Sequence, residues 1–147
     1  SPVGLAQPKD RTLAYADVKS AKAEENVLRL LFTDQKLIHG MEEQLPAAWF
    51  SAPVLRKIYE RVLELDRSGS LVDALAFEGQ LETNEMSLLA GILEQGVPPG
   101  DHRAELREYI NTIRLQRVKD GTLTQAGEDP LLTFGRMKNQ NAGGQTI

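Results

Sequence analysis

The chain has 147 residues, a formal net charge of −4, 41% hydrophobic and 26% charged residues, and no cysteine. This balance is typical of a globular domain, and the length allows a hydrophobic core that needs no covalent staples. The absence of cysteine excludes disulfides, thiolate zinc sites and cysteine nucleophiles, and the negative charge argues against non-specific nucleic-acid binding.

The N-terminal residues show no sustained periodicity and contain Pro2, Gly4 and Pro8. Residues 1–18 are therefore predicted to be a linker or flexible arm. The start of the chain lacks the basic and apolar segments of a signal peptide, and no apolar run approaches the roughly 20 residues that span a bilayer. We expect a cytoplasmic protein with no membrane contact.

Helical periodicity then begins, and it predicts a bundle of several short helices over residues 19–96. Ser20 is a plausible N-cap, Ser51 precedes a helix start at Pro53, and Gly69 is a typical C-terminal stop. Asp73 and either Thr83 or Asn84 are predicted to cap two further helices. The predicted apolar stripes are Val27, Leu28, Leu31 and Phe32; Leu37, Ile38, Met41 and Leu45; Leu55, Ile58, Val62 and Leu65; Leu75, Phe77 and Leu81; and Leu88, Leu89, Ile92 and Leu93.

A Gly/Pro-rich break at residues 96–100 separates the bundle from a predicted C-terminal helical hairpin, residues 101–140. Asp101 is the predicted cap of the first arm, and residues 127–130 are the turn to the second. Residues 141–147 are predicted to be a flexible tail. Since no segment alternates as a strand would, the prediction is an all-α fold, a multi-helix bundle followed by a C-terminal helical hairpin.

Catalytic signatures are absent from the sequence. It contains no P-loop, no GxGxxG, no GxSxG and no HExxH. His39 lies close to Glu42 and Glu43, but a metal site normally needs three or four ligands, so a surface histidine is the favoured interpretation. His102, at a helix start, has no evident role. We predict no catalytic residue, no metal ligand and no cofactor, and a small enzyme using His39 and Glu43 is the least favoured alternative.

Two other features have a structural and a functional interpretation. The pairs Glu24-Glu25 and Glu42-Glu43 are predicted to lie on solvated helix faces, because exposure is the usual state of paired carboxylates. Trp49-Phe50, just before a helix start, is predicted to pack in the hydrophobic core rather than to form a binding hot spot.

The segment Ala23-Glu24-Glu25-Asn26-Val27-Leu28-Arg29-Leu30-Leu31-Phe32 is followed by Trp49-Phe50-Ser51, a helix from Arg56 to Leu63, and Arg67-Ser68-Gly69. This order resembles two related families over residues 20–119. One is the C-terminal helicase-binding domain of bacterial DNA primase, and the other is the N-terminal domain of the hexameric replicative helicase. The predicted hairpin, with Glu108-Tyr109-Ile110 and Ile113-Arg114 in its first arm, favours the primase domain.

The primase resemblance implies a non-catalytic module, monomeric on its own, that docks on the hexameric replicative DNA helicase without contacting nucleic acid. It couples primer synthesis to unwinding, and the parent polypeptide is a DNA-directed RNA polymerase and transferase. The alternative is the oligomerisation collar at the N-terminus of a replicative helicase. The helicase-binding residues predicted on the hairpin are Tyr109, Ile110, Ile113, Leu131, Leu132, Phe134 and Met137.

Overall fold

The computed structural model describes residues 15–124. Within this range the chain forms five α-helices and no β-strand, which confirms the predicted all-α bundle. The helices are α1 (Val18–Thr33), α2 (Met41–Gln44), α3 (Pro53–Arg67), α4 (Thr83–Glu94) and α5 (His102–Lys119), and 3₁₀ turns occupy Gln35–Leu37, Ala47–Trp49 and Ala74–Phe77.

The chain divides into two compact units, Ser1–Ile113 and Arg114–Ile147. The first arm of the predicted hairpin corresponds to α5. Its second arm and the tail lie outside the described residues, as does most of the predicted N-terminal arm. The predicted division into a bundle at 19–96 and a hairpin at 101–140 therefore stays a prediction.

Helix boundaries follow side-chain capping, which corrects two sequence predictions and confirms a third. Asp17, not Ser20, caps α1, because its Oδ1 accepts a hydrogen bond from the Ser20 backbone nitrogen at 3.1 Å. The α4 cap is Glu82 instead of Thr83 or Asn84, and Glu85 completes a reciprocal capping box. Asp101 does cap α5, accepting from the Ala104 nitrogen at 3.2 Å. Each cap satisfies backbone donors that the first helical turn leaves unpaired.

The core of the first unit is formed by the apolar faces of α1, α3, α4 and α5 and by the segment between α1 and α3. Phe50 stacks on Tyr59 with ring centroids 4.5 Å apart, so the predicted core role of Phe50 is confirmed. The Tyr59 hydroxyl donates to the Leu45 carbonyl at 2.7 Å. Burial, with a smaller contribution from the charge of Glu42, raises the pKa of Tyr59, so this hydroxyl stays a donor.

The prediction that Glu24 and Glu25 lie on a solvated face is wrong. Glu24 is completely buried and Glu25 is 7% exposed. The Glu24 Oε2 accepts from the Ser20 hydroxyl at 2.6 Å, from the Ser51 nitrogen at 2.9 Å and from the Ser51 hydroxyl at 2.7 Å, while Oε1 accepts from the Ala52 nitrogen at 3.2 Å. Ala52 is the N-cap residue of α3 and has no side-chain cap of its own, so Glu24 of α1 supplies the missing acceptors.

Glu25 has a different partner. Its Oε2 accepts a hydrogen bond from the Tyr15 hydroxyl at 2.7 Å. Both carboxylates of the pair are thus satisfied by neighbouring donors, which is the condition under which a buried charge is tolerated.

Arg29 lies about one and a half turns after Glu24 on α1. It contacts the C-terminal end of another helix, α4. It is 7% exposed, and its Nε donates to the Ile92 carbonyl at 2.8 Å, while Nη1 donates to the Asn26 side chain. Ile92 lies in the last turn of α4, where carbonyl groups have no partner within the helix. A cation at a helix C-terminus is also favourable to the helix dipole.

We expect Glu24→Ala to lower the free energy of unfolding by about 3 kcal/mol, because the Ser51 and Ala52 donors would be left buried without an acceptor. Urea denaturation followed by circular dichroism measures this loss. The matched control is Glu43→Ala, which removes an exposed carboxylate and should change stability by less than about 0.5 kcal/mol. Equal losses for the two variants would contradict the capping role of Glu24.

Arg29→Met should destabilise the protein by about 1–3 kcal/mol, since it preserves the buried alkyl chain but leaves the Ile92 carbonyl without its donor. Lys22→Met is the control, because Lys22 is exposed on the same helix. Hydrogen exchange should further show selective loss of protection in the last turn of α4. A uniform loss across all helices would instead indicate a packing role for Arg29.

Candidate interaction surface

The residues predicted to bind a partner fall into three groups. Tyr109 and Ile110 of α5 are half-buried and pack against the core, whereas Ile113 is fully buried. Leu131, Leu132, Phe134 and Met137 lie outside the described residues. The binding role of the set stays a prediction, but the burial of Ile113 means that its side chain already has contacts within the chain.

The most exposed large apolar side chains lie elsewhere, in the α3–α4 connection (residues 68–82). Leu71 is 67% exposed and Leu75 is 71% exposed. The sequence predicted a short helix that carries Leu75, Phe77 and Leu81, and of these three only Phe77 is fully buried. The segment is a 3₁₀ turn, in which residues two apart point in widely different directions, so that burial of Phe77 leaves Leu75 outside.

The α3–α4 connection is held in place by side chains from other elements. The Gln35 amide donates to the Val72 carbonyl at 2.6 Å and accepts from the Val72 nitrogen at 3.2 Å, and Val72 itself is buried. Asp73 caps the 3₁₀ turn through the Ala76 nitrogen at 3.2 Å. Leu71 and Leu75 are therefore presented from an ordered backbone on both sides of the clamped Val72.

Aromatic packing anchors the other end of this segment. Phe77 is fully buried, and its ring centroid lies 5.7 Å from that of Phe32 on α1. The Arg61 guanidinium of α3 donates to the Ala76 carbonyl at 3.3 Å. These contacts tie the segment that follows the two exposed leucines to α1 and α3.

A groove of about 440 Å³ runs between α3 and the α3–α4 connection, and its apolar lining includes Phe77 and Leu81. Ion pairs lie along its charged rim. Lys57 Nζ lies 2.8 Å from Glu85 Oε1, and Arg61 Nη1 lies 2.8 Å from Glu64 Oε1. The hydrogen bond from Lys57, followed by that from the Glu82 backbone, lowers the pKa of Glu85, which fixes its charge near neutral pH. A charged ligand that binds beside Lys57 or Arg61 would have to displace these pairs.

The two histidines have different surroundings. His39 is exposed, as predicted, and so are Glu42 and Glu43. His102 does have a partner, contrary to expectation, because its Nδ1 lies 3.5 Å from Asp34 Oδ2 at the end of α1. Between residues 15 and 124, no group of three or more His, Cys, Asp or Glu side chains could hold a metal ion. No helix in this part of the chain is long and apolar enough to cross a membrane.

Comparison with known families decides between the two resemblances. The sequence model of the DnaB-like helicase N-terminal domain matches residues 16–114, which is 99 of the 147 residues. No curated protein matches the chain, and no solved structure matches it.

The primase interpretation is therefore wrong, together with the DNA-directed RNA polymerase and transferase parent that it implied. The error has a physical origin. The two resemblances share the apolar pattern of one helical bundle, and the choice depended on a predicted hairpin whose second arm lies beyond the matched region. The match runs from the residues before α1 into α5 and covers nearly all of the described helical structure. Because it covers this much of the chain, the chain belongs to the DnaB-like helicase N-terminal domain family.

Proposed function

We propose that this chain is a non-catalytic assembly domain that self-associates as the N-terminal collar of a replicative DNA helicase. The observation that carries the proposal is the family match over residues 16–114, which spans the core-forming helices. The parent would then be a helicase, and ATP hydrolysis would belong to parts of it other than this bundle.

The chemistry of the described residues supports a binding role. They contain no group of three or more side chains that could hold a metal ion, and two ion pairs, Lys57–Glu85 and Arg61–Glu64, lie beside the groove next to α3. What the surface does offer is two strongly exposed leucines on an ordered segment. Exposed apolar side chains on an ordered backbone favour protein association, because little backbone entropy is lost on binding.

Self-association replaces the expectation of a monomer, which followed from the primase interpretation. A net charge of −4 does not favour direct binding to the phosphate backbone, so we propose that contact with DNA depends on other parts of the parent helicase. The partners of this domain would be further copies of itself and other replication proteins.

Sedimentation velocity of the chain over about 1–100 micromolar tests the proposal, since dissociation constants in this range correspond to weak contacts of about 5.5–8 kcal/mol. We expect the sedimentation coefficient to rise with concentration, and we expect no ATP hydrolysis above background. A single monomeric species at every concentration would contradict the collar role, and ATP turnover by the purified chain would contradict its non-catalytic character.

A further inference from the structure

We propose that the exposed leucines of the α3–α4 connection bind the basic face of α5 on a second copy of the chain. This inference rests on the proposed self-association and adds the two surfaces that meet. The first surface is residues 68–82 with Leu71 and Leu75. The second is the basic stripe of α5, defined as Arg103, Arg107 and Ile110.

The first surface is apolar and acidic. Residues 68–82 contain Asp73, Glu78 and Glu82 and no lysine or arginine, so this stretch carries a formal charge of −3. The leucines stand on a backbone that the Gln35 amide clamps at Val72. A segment with apolar anchors and net negative charge is complementary to a surface that is apolar and positive.

The second surface has this complementary character. Successive residues of an α-helix are separated by about 100°, which places Arg103, Arg107 and Ile110 within about 60° of one another. Both arginines are exposed, and Ile110 is half-buried. Between residues 102 and 113 the acidic residues are Glu105 and Glu108, and each lies about 100° or more away from all three members of the stripe.

The opposite charges of the connection and the stripe determine which surfaces of two copies meet. Two acidic connections facing each other would repel, and so would two basic stripes, so pairing of identical surfaces is disfavoured. The favourable contact joins the connection of one copy to the stripe of the next. Such a head-to-tail contact leaves one free surface at each end, and it closes a ring when the rotation between copies permits.

A complementation experiment tests this arrangement. One variant, Leu71→Asp with Leu75→Asp, removes the apolar anchors of the connection and retains an intact stripe. The other, Arg103→Glu with Arg107→Glu, reverses the stripe and retains an intact connection. All four residues are exposed, so both variants should fold, which circular dichroism and thermal melting check.

We expect each variant alone to lose at least about tenfold in self-association, the loss that disruption of a central anchor produces. An equimolar mixture should form a dimer containing one chain of each kind, because the connection of the second variant can still bind the stripe of the first. Native mass spectrometry identifies this species, since the two variants differ in mass. Lys19→Glu with Lys22→Glu is the matched control, with the same charge change at exposed positions on α1, and it should associate like the unmodified chain.

The outcomes separate this inference from the function on which it rests. If the unmodified chain never associates, the collar proposal fails. If it associates but either variant does so equally well, the collar proposal stands and the assigned surfaces are wrong. Loss of association in both variants without a mixed dimer would overturn the head-to-tail arrangement.

Discussion

The buried carboxylate of Glu24 is the interaction on which the arrangement of helices depends. A fully buried charge is costly unless its oxygens are satisfied, and here four donors from Ser20, Ser51 and Ala52 converge on them. Two of those donors are backbone nitrogens at the start of α3, which would otherwise be buried and unpaired. The Glu24 carboxylate and the backbone nitrogens at the start of α3 therefore satisfy each other. These hydrogen bonds set where α3 begins relative to α1.

Arg29 makes a corresponding contact at the C-terminal end of α4. Its guanidinium reaches the Ile92 carbonyl in the last turn of α4, so α1 contributes an anion to one helix N-terminus and a cation to another C-terminus. Both placements are favourable to the helix dipole. Apolar packing tolerates small rotations of a helix, whereas these directional contacts do not, and they give the bundle a defined register as well as stability.

Among the described residues, the two most exposed large apolar side chains, Leu71 and Leu75, both lie in the α3–α4 connection. That position has consequences for function. Leu71 and Leu75 are not remnants of an incomplete core, because Val72 between them is buried and clamped by Gln35. These outward leucines on an ordered connection are the surface on which the proposed self-association rests.

The sequence by itself determined the helical class, the stop at Gly69, the cap at Asp101 and the apolar positions of α1 and α3, because these depend on local propensity and on the 3.6-residue period. Only the tertiary structure decided that Glu24 is buried. Its four donors come from residues up to 28 positions away, and no local pattern distinguishes it from a solvated glutamate. The same holds for Leu75, which the sequence grouped with Phe77 on a short helix and which the 3₁₀ turn leaves exposed. Local rules determine which face of an element is apolar, but long-range contacts decide which polar groups are buried with it and which apolar groups stay outside.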